Sequence, residues 1–295
     1  MESLAQLHKQ LESLGDLRTI VKTMKALSAA SIRQYERAVG ALGEYHRTIE
    51  RGLRVVLRDM DSIPTGAPTH PRQQAAVVFG SDHGLCGRFN EELVEHALDR
   101  IDLPQSDGKG WLLLTVGARA AAGLEREGHS IEADFLVPSA AAQITATVQQ
   151  ILLKIDEWRQ ERGVDEVHLF YNRHSERRGY EPTSMQLFPI DVHHLRQLQE
   201  EPWPSRNLPT FTMDQDALFR RILNQYLFVS IFRACAESLA SEHASRLAAM
   251  QSAERNLDER MDEVTTVYRR ARQDQITSEL LDVVSGFEVS TRTQT

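Results

Sequence analysis

AAVVFGSDHGLCGRFNEELVEHAL, residues 75–98, sets an apolar run, a glycine-rich turn and an amphipathic run end to end. The run Ala75–Phe79 reads as a strand buried on both faces, because short continuous apolar stretches suit the centre of a parallel sheet. Glu91 to Leu98 reads as a helix, with Asn90 placed to cap it and two glutamates suited to its first turn. The turn between them, Gly80–Asn90, has three readings: a phosphate cradle, a nucleophile around Cys86, or a tight structural turn.

The strand–turn–helix pattern continues downstream. WLLLTV (111–116) reads as a second strand and Ala118 to Glu127 as a helix stopped by Gly128. SIEADFLV (130–137) is a third strand. Ser139 is placed to cap a long helix to Arg162, which Gly163 closes. EVHLFYN (166–172) and TSMQLFPI (183–190) are the fourth and fifth strands. Alternation of strands and helices with short connections predicts a doubly wound α/β sheet of Rossmann type over residues 75–200.

The flanks are different. Residues 1–60 contain no proline, and Leu4, Leu7, Leu11, Leu14, Leu17, Val21, Met24 and Leu27 recur at helical spacing close to a coiled-coil repeat. A helix over that stretch is about 85 Å long at 1.5 Å per residue, too long to bury its stripe without a partner of similar length. Pro64, Pro68 and Pro71 make residues 61–74 a linker, and the prolines of 201–213 make another. From Asp214, a good N-cap, residues 214–287 run uninterrupted to Gly286, with Leu239, Met250 and Ile276 on the apolar stripe. That helix is about 110 Å long, and residues 288–295 are left as a tail. The economical fold is an antiparallel coiled coil of the two ends, its seam drawn through Leu11, Leu14, Met24, Leu239, Met250 and Ile276, with the α/β domain packed at its side.

Charge and chemistry narrow the function. The net charge of −8 argues against nucleic acid as the main partner. No apolar run reaches the length of a membrane span, and the acidic amphipathic start is not a signal peptide. Two cysteines, Cys86 and Cys235, build neither a disulfide framework nor a thiolate metal site. The Gly84–Gly87 turn lacks the Lys-Ser/Thr pair of a P-loop, and glycines at 80, 84 and 87 miss the dinucleotide spacing. His83 beside Cys86 is a single pair and makes no catalytic constellation. His193-His194 and Glu242-His243 lack further ligands at a recognisable spacing. No catalytic group, cofactor, metal or small-molecule substrate is indicated.

Four stretches together resemble one family, the gamma subunit or central rotor stalk of F-type ATP synthases. Ser81-Asp82-x-Gly84-Leu85-Cys86-Gly87 is similar to that family's signature after its first central strand. IVKTMKALSAASIR (20–33), ESLASEHASRLAAMQSAERN (237–256) and VYRRARQDQITSELLDVVSG (267–286) resemble its terminal-helix motifs, in the same order. Departures such as Ser31, Arg88, Arg255 and Arg270 suggest a divergent bacterial branch.

The resemblance implies a shaft inside an α3β3 hexamer, turned by a membrane c-ring and accompanied by an epsilon subunit. Nucleotide chemistry then occurs on the other subunits. It implies a peripheral position on the cytoplasmic face of the bacterial plasma membrane. It also implies contacts to a β-subunit loop by Arg246, Arg272, Gln273 and Thr277, with Arg246 at a basic position on the same helix. The turn then reads as structural, with Gly84 and Gly87 in shapes closed to other residues and Leu85 and Phe89 packing the α/β domain against the rod. The rival readings are an α/β enzyme with helical dimerisation arms and a structural tether.

Overall fold

The computed structural model describes residues 3–58, 60, 73–101, 110–175, 179–203, 205–207 and 209–292, with side chains as far as 284 in the last helix. The linker expected at 61–74 therefore lies almost wholly outside the described residues. Two helices frame the chain, α1 (Leu4–Arg58) and α6 (Gln215–Arg292). Asp214 caps α6, its carboxylate accepting from Ala217 N–H at 2.9 Å. Gly286 does not stop α6, which continues to Arg292 through what was expected to be the tail.

Between them lie β1 (Gln74–Phe79), α2 (Phe89–Ile101), β2 (Leu112–Val116), α3 (Ala118–Arg126), β3 (Ile131–Phe135), α4 (Ala141–Glu161), β4 (Glu166–Ser175), β5 (Gly179–Phe188) and α5 (Val192–Glu200). The sheet order is β3-β2-β1-β4-β5, with β5 antiparallel at the edge and the others parallel. The edge position accommodates Pro182, which has no N–H to give a ladder.

The chain divides into two compact units that cut across both long helices: Met1–Leu27 with Leu247–Thr295, and Ser28–Arg246. In the larger unit, β1 sends alternate side chains to opposite faces. Val77 and Phe79 join α4 residues Ile144, Val148 and Ile151 and α6 residues Ile231, Cys235 and Leu239 in one core. Ala76 and Val78 join Leu93 and Ala97 of α2 and Leu124 of α3 in the other. Leu239, expected on the coiled-coil seam, thus packs beneath the sheet. A third cluster gathers Leu53 and Leu57 of α1, Leu195 and Leu198 of α5, and Phe219 of α6.

In the smaller unit the helices are antiparallel. Lys25 pairs with Glu254, Arg18 Nε lies 2.7 Å from Asp258, and the His8 and Tyr268 rings are 6.0 Å apart. Leu7, Met250 and Val264 are buried there, and Leu11, Leu14 and Met24 are half-buried. Leu17 and Leu27 are exposed, because the next seam positions fall on Arg18 and Lys25, whose charges pair across the helices. Ile276 is 49 % exposed, contrary to its expected place on the seam. Tyr268 already stands opposite His8, so α6 outruns the start of α1 within about a turn.

Candidate functional site

The carboxyl ends of β1 and β2 meet the signature turn through backbone approaches that only glycine permits. A Cβ on Gly80 would stand 2.4 Å from that of Ala120, and one on Gly117 would stand 2.7 Å from Ser81 N. Gly117 also holds φ at +113°, open to glycine at little cost. Asp82 uses this proximity. Its carboxylate accepts from Ala118 N–H at 3.1 Å and Val137 N–H at 2.9 Å, tying together the loops after three strands.

Asn90 does not cap α2, which already begins at Phe89. Its buried amide instead faces back into the turn. Oδ1 accepts from Ser81 N–H at 3.0 Å, and Nδ2 donates to Ser81 Oγ at 2.8 Å. A buried amide costs free energy unless paired, and the turn supplies the partners. Cys86 is buried beside them, with Sγ 3.8 Å from Ser81 Oγ, and burial pushes its thiol pKa up. A thiol that resists ionisation is a poor nucleophile.

Two expectations for the turn are corrected. Gly84 does not take up a left-handed backbone; Leu85 does, at φ 63°, alongside Gly87 at φ 61°. Leu85 does not pack inward either. It is 62 % exposed, while Phe89 is fully buried with its ring edge-on to Tyr180. A bulky residue in the left-handed region is strained and persists only where its surroundings hold it.

The holding is done by α6 through the turn's carbonyls. Ser238 Oγ donates to the Phe79 carbonyl at 2.8 Å, at the last residue of β1. Ser245 Oγ donates to the Cys86 carbonyl at 2.6 Å. Arg246 Nη2 donates to the His83 carbonyl at 3.0 Å, and Nε and Nη2 each reach the Gly84 carbonyl at 3.4 Å. The same guanidinium pairs with Glu242 at 2.6 Å. Burial raises the Glu242 pKa, Asp82 raises it further, and Arg246 draws it down. Next to them, His243 stacks on Tyr35 with ring centroids 5.5 Å apart, and Tyr35 donates to the Pro138 carbonyl at 3.2 Å. Burial, helped by Arg246, lowers the His243 pKa to about 4.

Ligands in open α/β sheets bind outside the carboxyl ends of the strands, where the strand order reverses. Here that reversal is at β1, and α6 bonds to the end of β1 and to the loop after it. Among the described residues no group of three His, Cys, Asp or Glu is placed to hold a metal ion.

The other expected site residues lie in the smaller unit. Arg272, Gln273 and Thr277 are exposed on the stretch of α6 from 272 to 284, where every residue is exposed. Arg246 stands apart from them, only 6 % exposed and bonded inside the larger unit. Sequence reading missed Ser238 and Ser245, and it takes Asn90 as a helix cap and Glu242 as a lone ligand rather than as partners of the turn. The one signal for Ser238, Glu242 and Ser245 is the run of small and polar residues, with few large apolar ones, along 237–246.

A family model described as ATP synthase matches residues 3–289. The ATP synthase gamma chain of Paracoccus denitrificans is 30 % identical over 298 residues, covering 98 % of this chain and 99 % of its own length. That of an Anaeromyxobacter species is 31 % identical over 311 residues, with the same coverage. Among solved structures, a chain of the Euglena gracilis mitochondrial ATP synthase in its OSCP/F1/c-ring assembly superposes with a TM-score of 0.68 at 17 % identity, covering 99 % of this chain and 96 % of that one. A chain of the Tetrahymena thermophila central stalk and c-ring gives 0.56 at 21 % identity, covering 79 % and 99 %. At such identities the structural likeness is one of fold.

Proposed function

The chain belongs to the family of ATP synthase gamma chains, and from that premise we propose how it works in the F1 sector of a rotary ATP synthase. It is the central stalk. It rotates within the α3β3 hexamer and couples ion translocation through the membrane c-ring to ATP synthesis or hydrolysis. The likeness to gamma chains from end to end of both chains carries this reading.

The subunit contributes no catalytic group of its own. Supporting this, the backbone carbonyls after β1 are bonded by α6, and the one cysteine in the turn is buried with a raised pKa. Among the described residues no helix is long and apolar enough to cross a membrane. The subunit is held at the cytoplasmic face of a bacterial inner membrane by its partners, the c-ring and the epsilon subunit among them.

Arg272, Gln273 and Thr277 are the residues that meet a β-subunit loop. Arg272 offers a rigid fork of donors and Gln273 both a donor and an acceptor. The Thr277 hydroxyl donates to the Gln273 carbonyl at 2.9 Å, leaving its lone pairs to accept. Arg272→Ala with Gln273→Ala in the reconstituted complex is the test. The isolated chain should keep its stability, since exposed substitutions change it by within about 0.5 kcal/mol. ATP hydrolysis should fall roughly tenfold or more, the worth of one hydrogen bond to a charged group. Unchanged hydrolysis and pumping in an assembled complex would remove these residues from the contact. Failure of the wild-type chain to copurify with α and β subunits would remove the rotor reading itself.

A further inference from the structure

We propose that Glu242, Ser245 and Arg246 form a torsional clamp that fixes α6 to the signature turn, so that the α/β domain turns with the shaft without slipping. The proposal rests on the rotor reading and adds to it a role for residues inside the chain. Arg246 is thereby a positioning residue and not a contact to another subunit.

The clamp stands where such a device is needed. The chain passes between its two units at 27/28 and at 246/247. Ser245 and Arg246 are the last residues of α6 on the larger unit's side of the second crossing, and both bond to the turn after β1. A twist carried along α6 from residue 247 onward is therefore met at once by a fixed point. At the first crossing Ser28 is buried, and Tyr35, two turns further on, is tied to the Pro138 carbonyl.

Its chemistry gives stiffness. Arg246 approaches two successive carbonyls with a planar fork, so that rotating α6 about its axis misaligns several donors together. Glu242, one helical turn earlier, holds the guanidinium from below at 2.6 Å. Both are almost fully buried, where an ion pair is strong in place and costly to break on one side. On the far side of the turn, Asp82 and Asn90 hold the backbone that the clamp grips. The strained, outward-facing Leu85 lies between the gripped carbonyls of His83, Gly84 and Cys86, as expected of a loop held from both ends.

The test has two readouts. In the full-length chain, amide hydrogen exchange of residues 81–90 should quicken about tenfold or more in Arg246→Ala, the effect of losing one charge-assisted bond. It should quicken less in Glu242→Gln and in Arg246→Lys, which keeps the charge but loses the fork. The amides of β2 and β4 should be unaffected. In the reconstituted complex, ions pumped per ATP hydrolysed should fall for the same variants in the same order, while assembly persists. A merely stabilising role would leave that ratio unchanged.

Exchange at 81–90 that is the same in wild type and variants overturns the clamp. So does normal pumping per ATP from an assembled variant complex. If Arg246→Ala does not fold, Glu242→Gln and Ser245→Ala carry both readouts. A wild-type chain that cannot assemble with the hexamer sinks the rotor reading and the clamp with it. Normal assembly with unchanged coupling sinks the clamp alone.

Discussion

Acid should weaken the larger unit in part through His243, together with His168, whose pKa burial also lowers. His243 is held neutral by burial and by Arg246, with its pKa lowered from 6.5 to about 4. The unfolded chain takes up the proton near pH 6.5 and the folded chain only near pH 4, so between these values the unfolded state binds more protons and stability falls with falling pH. At about 1.36 kcal/mol per pH unit, that gap amounts to about 3 kcal/mol at most. Glu242 acts in the opposite sense. Its folded pKa is raised, so its contribution declines as pH rises above its ordinary value. His243→Phe isolates the histidine. Phenylalanine keeps a flat ring against Tyr35 and removes a buried Nδ1 that has no hydrogen-bond partner. Urea unfolding followed by the fluorescence of the three tryptophans, Trp111, Trp158 and Trp203, all of them in the same unit, is the assay at pH 7, 5.5 and 4.5. The wild type should lose more stability than the variant across that range, and the variant should be at least as stable at pH 7. Parallel pH dependence in the two proteins would refute the assignment.

Other outcomes test other parts of the structure. Asp82→Asn should cost about 1.5–3 kcal/mol in urea unfolding, since an amide oxygen cannot accept from both Ala118 and Val137 with the strength of a carboxylate. Cysteines at positions 25 and 254, joined by a short bismaleimide, should link within one chain; links formed only between chains would contradict the antiparallel pair. Cys86 should react slowly with maleimide at pH 8 in the native chain and quickly in urea, because the thiol is buried and its pKa is raised. Ile276→Asp should leave the isolated chain's thermal midpoint unchanged, as Ile276 is an exposed residue there, yet depress ATP hydrolysis of the complex.

The sheet was legible because parallel strands buried on both faces are plain apolar runs, as in Ala75–Phe79 and Leu112–Val116. The long helices were legible from period alone. What escaped reading depends on contacts distant in sequence. The helix α5 has only Leu195 and Leu198 buried, beside two adjacent histidines, so its stripe is too thin to register. β5 begins at Gly179, before the expected Thr183, because its edge position tolerates polar residues and a proline. Asn90 looked like a cap because asparagine before two glutamates is one; the nearby Ser81 amide claimed its side chain instead. The left-handed residue was sought among the glycines, and no local rule says that α6 will hold Leu85 there.

The helix α6 changes character along its length, and the change follows what surrounds it. Residues 234–242 are all buried, so this stretch is enclosed on every side. A helix in such a place must be narrow and must settle its charges internally. Alanines at 234, 236 and 240 and serines at 238 and 241 keep it narrow, while Glu237 and Glu242 find Arg233 and Arg246 one turn away. Beyond Ala271 the opposite holds, and every side chain to Val284 is exposed, apolar Leu280, Leu281 and Val283 among them. Apolar residues exposed in series on one helix are stable in water only at a cost, and covering them recovers about 25 cal/mol per Å². One helix thus has a stretch, 234–242, that the chain itself encloses and a stretch, 272–284, that the chain leaves exposed. In the rotor we propose, that division has a mechanical sense: the enclosed stretch takes up the twist, and the exposed stretch is the part offered to other subunits.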